Sequence, residues 1–117
     1  MSLPLETGRA GAPKGQARAL VVFLHGYGAN GADLLGLAEP LAPHLPGAAF
    51  LAPDAPEPCA GAPMGFQWFP IPWIDGSSEE ESLEGLLRAA GTLNAFLDAA
   101  AEDEGVGPEN TVLLGFS

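Results

Sequence analysis

Basic side chains are scarce in this chain: four Lys and Arg stand against fifteen Asp and Glu, for a formal net charge of −11. Such a surface repels a nucleic-acid backbone and an anionic bilayer, so neither is expected as a partner; its ordinary effect is solubility. Cysteine is nearly absent. The single Cys59 excludes an internal disulfide framework and a multi-cysteine metal site, and it reads as a loop residue, not a catalytic thiol. His25 and His44 are the only histidines and no ligand cluster accompanies either, so no metal site is expected. No apolar run approaches the roughly eighteen residues needed to span a bilayer. The stretch from Met1 to Gln16, with Pro4, Glu6 and Pro13, lacks the apolar core of a signal peptide. These absences describe a soluble cytoplasmic protein without stable membrane insertion. At 117 residues, with no internal repeat, the chain is one domain's worth or less.

What is present alternates between two periods. Ala19 to His25 carries apolar side chains at consecutive positions, including Val21 and Val22, as does a strand covered on both faces in a parallel sheet. Ala48 to Ala52 and Thr111 to Phe116 are the other apolar strands, and Ser2 to Thr7 suits a short edge strand. Between them lie helical patterns. Asp33 is placed to cap a helix with apolar positions Leu34, Leu37, Ala38, Leu41 and Leu45, made irregular by Pro40 and Pro43. Ser78 and Glu81 have capping-box spacing, and the helix they open carries Leu83, Leu86, Leu87, Ala90, Leu93, Phe96, Leu97 and Ala100 on one stripe. It ends near Gly105, ahead of Gly107-Pro108. Strands alternating with helices predict an α/β fold around a mostly parallel sheet with helices on both faces.

Glu57 to Ser77 has no regular period, many prolines and glycines, and the aromatics Phe66, Trp68, Phe69 and Trp73. A long loop of that kind in a compact domain is usually functional, and its aromatics argue against disorder.

Two stretches carry the chemistry. The first strand runs straight into His25-Gly26-Tyr27-Gly28, the pattern of a loop whose backbone N–H groups face a developing negative charge. The last strand delivers Gly115-Phe116-Ser117, the first half of the G-x-S-x-G elbow that exposes a nucleophilic serine on a tight turn. Ser117 is the candidate nucleophile. Its hydroxyl needs a histidine to take its proton and an acid to orient that histidine. His25 belongs to the loop motif and His44 to a Pro-flanked helix end, so neither suits that task.

With these motifs the chain resembles the amino-terminal half of a serine carboxylesterase of the phospholipase/carboxylesterase family, relatives of acyl-protein thioesterases within the α/β-hydrolase fold. The resemblance rests on Phe23-Leu24-His25-Gly26-Tyr27-Gly28, Leu51-Ala52-Pro53-Asp54-Ala55-Pro56, Gln67-Trp68-Phe69, the acidic helix opening Glu79-Glu80-Glu81-Ser82, and Leu113-Leu114-Gly115-Phe116-Ser117, in the family's order. It implies one α/β-hydrolase domain over 1–117, ending at the nucleophile elbow, with an acyl-enzyme on Ser117. It implies Tyr27 as a backbone oxyanion donor, His25, Gly26 and Gly28 as shapers of that loop, and Trp68 and Phe69 as the border of the acyl pocket. The substrates implied are small carboxylic esters, with acyl thioesters and lysophospholipids in the family's range. No cofactor is implied. The family's Gln-Gly-Gly after the serine, the second oxyanion donor and the triad Asp and His are not in this sequence, so the 117 residues are expected to be inactive alone and to leave an apolar strand edge open.

Two other readings compete. Gly26-Tyr27-Gly28-Ala29-Asn30-Gly31 is a literal G-x-G-x-x-G between strand and helix with Asp54 beyond the next strand, the outline of a dinucleotide site. That reading leaves Gly115-Phe116-Ser117 and the aromatic loop unexplained. The other is a non-catalytic acidic binding module, with the aromatic loop as its docking surface.

Overall fold

The computed structural model describes residues 3–59, 61–62 and 64–116. A sheet of β1 (Thr7–Gly11), β3 (Ala48–Pro53), β2 (Ala19–Leu24) and β6 (Thr111–Gly115), in that spatial order, forms its centre. β2 lies parallel to both neighbours, with Val21 opposite Phe50 on one side and Val112 on the other, while β1 closes one edge antiparallel to β3. The edge strand therefore lies later than the Ser2 to Thr7 expected, because Thr7 to Gly11 finds the β3 register from Pro53 to Ala49.

Consecutive apolar residues on β2 and β3 feed two cores, one on each face. Leu20, Val22, Ala49 and Leu51 pack with Phe96, Ala100 and Val106, whereas Val21, Phe23, Ala48, Phe50 and Ala52 pack with Ala38 and the half-buried Leu34, Leu35 and Leu41. Phe23 and Phe50 stack at 5.9 Å between ring centroids. Phe96 is fully buried, so its truncation to Ala costs about 3–5 kcal/mol.

The first helical stretch is shorter than its apolar pattern predicts. It divides into α1 (Gly31–Leu35), α2 (Ala38–Leu41) and a 3-10 turn over Ala42–His44. Asn30, not Asp33, is the N-cap: its side-chain oxygen accepts the Asp33 N–H at 3.0 Å.

α4 (Glu79–Glu104) opens on a complete capping box, Glu81 N–H to Ser78 Oγ at 3.0 Å and Ser78 N–H to Glu81 Oε1 at 3.0 Å, and stops at Gly105 with φ +71°. Its buried face is Gly85, Ala89, Phe96, Ala100 and Glu104. The expected stripe is thus correct only in its second half, since Leu83, Leu86 and Leu87 are exposed. The reason is Gly85: a Cβ there would meet Pro70 Cδ at 2.8 Å and Phe69 Cβ at 2.9 Å. Small residues let the aromatic segment sit directly on the helix. At the helix's other end Glu104, which is buried, receives Arg9 of β1 through two bonds, Nε to Oε2 at 2.6 Å and Nη2 to Oε1 at 2.7 Å.

The long loop is more ordered than its composition predicts. Glu57–Pro58 (β4) pairs antiparallel with Phe66–Gln67 (β5), and α3 (Pro72–Asp75) follows. Among the described residues β6 pairs only with β2, and Val112, Leu113 and Leu114 are exposed, as expected of an open apolar edge. Among the described residues no helix is long and apolar enough to cross a membrane.

Candidate active site

The site lies at the carboxyl ends of β2 and β6, where strands of a parallel sheet stop and their loops diverge. β2 and β6 run in register to Leu24 opposite Gly115, and the Phe116 N–H continues the ladder to Leu24 O at 3.0 Å. Gly115 and Phe116 thus end β6 beside His25 at the same cavity. Ser117 itself lies outside the described residues.

His25 is buried and both ring nitrogens are engaged. Nε2 accepts the Ala55 N–H at 2.9 Å, which leaves the proton on Nδ1, 2.8 Å from Gly26 O. The ring thus braces the ends of β2 and β3. No lone pair remains to take a proton from a nucleophile, so the ring shapes the loop, as its place in the motif suggests. Trp68 covers it at 5.6 Å between centroids and donates its indole N–H to His25 O at 2.9 Å.

Beyond His25 the loop is held at Gly28, Ala29 and Gly31. Gly28 N–H bonds Phe66 O at 2.9 Å, Ala29 N–H bonds Gly26 O at 3.1 Å, and Phe66 N–H returns to Ala29 O at 2.8 Å. Gly31 N–H bonds Asp54 Oδ1 at 2.8 Å. The Tyr27 N–H has no acceptor among the described residues. Gly28 turns the chain at φ +83°, a conformation that costs other residues about 1–2 kcal/mol. Gly65 is equally constrained, because a Cβ there would collide with Gly28 O.

A cavity of about 660 Å³ opens over this loop, walled by His25, Gly26, Tyr27, Trp68, Phe69, Ile71, Trp73, Ile74, Gly115 and Phe116. A second of about 330 Å³ shares His25, Trp68, Phe69, Gly115 and Phe116 and continues along Leu86 and Leu93 of α4. The described residues expected at the site, His25, Gly26, Tyr27, Trp68 and Phe69, thus converge on one hollow. Gly28 lies just behind it in the loop.

Sequence reasoning missed Asp75. Its Oδ2 accepts the Tyr27 hydroxyl at 3.0 Å and the Ile71 N–H at 3.0 Å, and its Oδ1 accepts the Ser77 N–H at 2.9 Å. The Ser77 hydroxyl, near but outside strict hydrogen-bond geometry, and these N–H groups hold the carboxyl down to about 2. Desolvation first, then hydrogen bonding with Cys59 and Asp75, pushes the Tyr27 phenol above its usual range. Asp75 closes an acidic turn that resembles many solvated ones, and only its spatial approach to Tyr27 marks it.

The phospholipase/carboxylesterase family model matches residues 7–117. Acyl-protein thioesterase 1 of Cryptococcus neoformans var. neoformans serotype D is 32% identical over 108 residues, covering 88% of this chain and 44% of that protein. The enzyme of the same name from Kluyveromyces lactis is 30% identical over 98% of this chain and 52% of its own length. Among solved structures, esterase PE8 superimposes with a TM-score of 0.84 at 38% identity, over 96% of this chain and 52% of that one. Acyl-protein thioesterase 2 of Zea mays superimposes with a TM-score of 0.62 at 31% identity over 96% of this chain and 46% of that one. The chain spans about half the length of the curated relatives it matches. With its mostly parallel sheet, its helices on both faces and a match from Thr7 onward, this chain has the α/β-hydrolase fold and belongs to the phospholipase/carboxylesterase family.

Proposed function

We propose that this chain is the amino-terminal part of a single hydrolase domain whose whole protein is a serine carboxylesterase. The observation that carries the reading is that Tyr27, whose N–H has no acceptor among the described residues, and Gly115-Phe116 at the end of β6 line one apolar cavity. Ser117 is the next residue in the sequence after Phe116, which lines that cavity. In the proposed reaction its Oγ attacks the acyl carbonyl, and the oxygen that becomes negative is held by the Tyr27 N–H and a second donor after Ser117. The alcohol leaves, and water releases the acid. The base and its orienting acid belong to the part of the relatives' length this chain does not span, since His25 is spent on Ala55.

Trp68, Phe69, Ile71 and Ile74 make an apolar wall suited to the acyl chain. Thioesters are included as substrates because relatives bear the name acyl-protein thioesterase. The dinucleotide reading has less support: Gly31 N–H is bonded to Asp54 and Asp33 N–H to Asn30, so the N–H groups a pyrophosphate would use are engaged.

The test is turnover of p-nitrophenyl esters and an acyl thioester by the full-length protein and by Ser117→Ala. Loss of turnover with an unchanged circular dichroism spectrum is expected. Unchanged turnover in that variant would refute the assignment, and acyl-ligand binding without any turnover by wild type would favour the binding module.

A further inference from the structure

We propose that Asp75 is a positioning residue for the oxyanion loop, acting through the Tyr27 hydroxyl to fix the Tyr27 backbone N–H. This inference rests on the esterase reading of the site.

The loop's supports divide into two kinds. Gly28, Ala29 and Gly31 are held through their backbone, by Phe66, Gly26 and Asp54. Tyr27 has no backbone bond among the described residues; what holds it is its side chain, whose hydroxyl donates to Asp75 Oδ2 at 3.0 Å. A peptide whose N–H must stay pointed into a cavity cannot use that N–H as its own anchor. The phenol supplies the anchor instead, at the far end of a rigid ring with two rotatable bonds.

Asp75 is itself fixed. It sits at the end of α3 and folds back on the Ile71 N–H at 3.0 Å and forward on the Ser77 N–H at 2.9 Å. Gly76, at φ +75°, reverses the chain just after it. The carboxylate is thus oriented before Tyr27 reaches it, with both oxygens engaged. The buried Cys59 thiol interacts with the same phenol. One bond therefore ties the oxyanion loop to α3, the segment that places Trp73 and Ile74 on the cavity rim. Preorganised donors stabilise a transition state in proportion to how well they are held, so loosening this tie lowers kcat more than substrate affinity.

The experiment compares wild type, Tyr27→Phe, Asp75→Asn and the double variant, as full-length protein, on p-nitrophenyl acetate. The acetyl group offers the apolar wall one methyl only, so changes in acyl-chain packing weigh little in the comparison. Each single change is expected to lower kcat about tenfold, a fraction of what outright loss of an oxyanion donor costs, with KM nearly unchanged. The double variant should be no worse than Asp75→Asn alone within about twofold, because the Tyr27 bond is already disrupted there and the Ile71 and Ser77 contacts are disturbed equally in both. The Tyr27 phenol, raised by desolvation first and then by Cys59 and Asp75, should titrate at lower pH in Asp75→Asn, read as the ultraviolet difference against the matching Tyr27→Phe protein. A folded Tyr27→Phe with kcat within about twofold of wild type, or additive losses in the double variant, overturns the positioning role. A wild type without esterase turnover overturns the esterase reading, and this inference with it.

Discussion

His25 Nε2 accepts the Ala55 N–H at 2.9 Å, so the one histidine at the site ties two strand ends together and has no free lone pair. His25→Ala leaves that N–H buried and opens a cavity beneath Trp68. The expected cost is about 3 kcal/mol of stability, measured by chemical denaturation. An unchanged midpoint would show that the brace is not formed.

The Arg9–Glu104 pair should behave asymmetrically. Arg9→Ala strands a carboxylate whose side chain is only 2% exposed, at a cost of about 3 kcal/mol. Replacing both partners with apolar residues of similar volume, Arg9→Met with Glu104→Leu, should recover most of that loss. Denaturation midpoints of the single and double variants decide it.

Gly65→Ala would drive a Cβ onto the Gly28 carbonyl and push β5 off the loop from His25 to Gly31. A destabilisation of about 1–3 kcal/mol is expected, with a fall in kcat larger than that of Gly91→Ala, whose Cβ meets nothing within 4 Å. Equal effects at the two glycines would remove Gly65 from the support of the loop.

Two titrations of opposite sign meet at one hydrogen bond. The Asp75 carboxyl falls from 3.8 to about 2 in the folded protein, so its contribution to stability is full above pH 3.8 and is lost as pH drops through about 2. The Tyr27 phenol rises above its ordinary 10.0, so its contribution is full below pH 10.0 and is lost as pH climbs through the raised value. Asp75 is lowered chiefly by Ser77 and the Ile71 N–H, and Tyr27 is raised chiefly by desolvation and Cys59; carbon-detected NMR of each side chain follows them, and ordinary midpoints for both would contradict this packing.

Much of this was legible because it depends on local pattern. Consecutive apolar residues from Ala19 to Leu24 require cover on both faces, and both cores are found there. Ser78 with Glu81 marks the start of α4 wherever the helix docks. What escaped depends on distance. Arg9 and Glu104 are far apart in the chain, and nothing near either marks a pair. Asp33 has the right chemistry for a cap, but Asn30 accepts the Asp33 N–H because the chain is already extended at Asn30. The α4 leucines keep helical spacing, yet Gly85 and Ala89 form the buried face, since the Phe69–Pro70 segment needs the closer approach. Motif and aromatic content singled out His25, Gly26, Tyr27, Trp68 and Phe69, which line one cavity, whereas the approach of Asp75 to Tyr27 required the fold.

The central claim is an activated serine at the end of β6, and the most direct measurement is reaction of the full-length protein with a fluorophosphonate probe, followed by peptide mapping. The account predicts one adduct, on Ser117, absent in Ser117→Ala and weakened in Tyr27→Phe. A folded wild-type protein that takes up no probe, or takes it up on another residue, would contradict it.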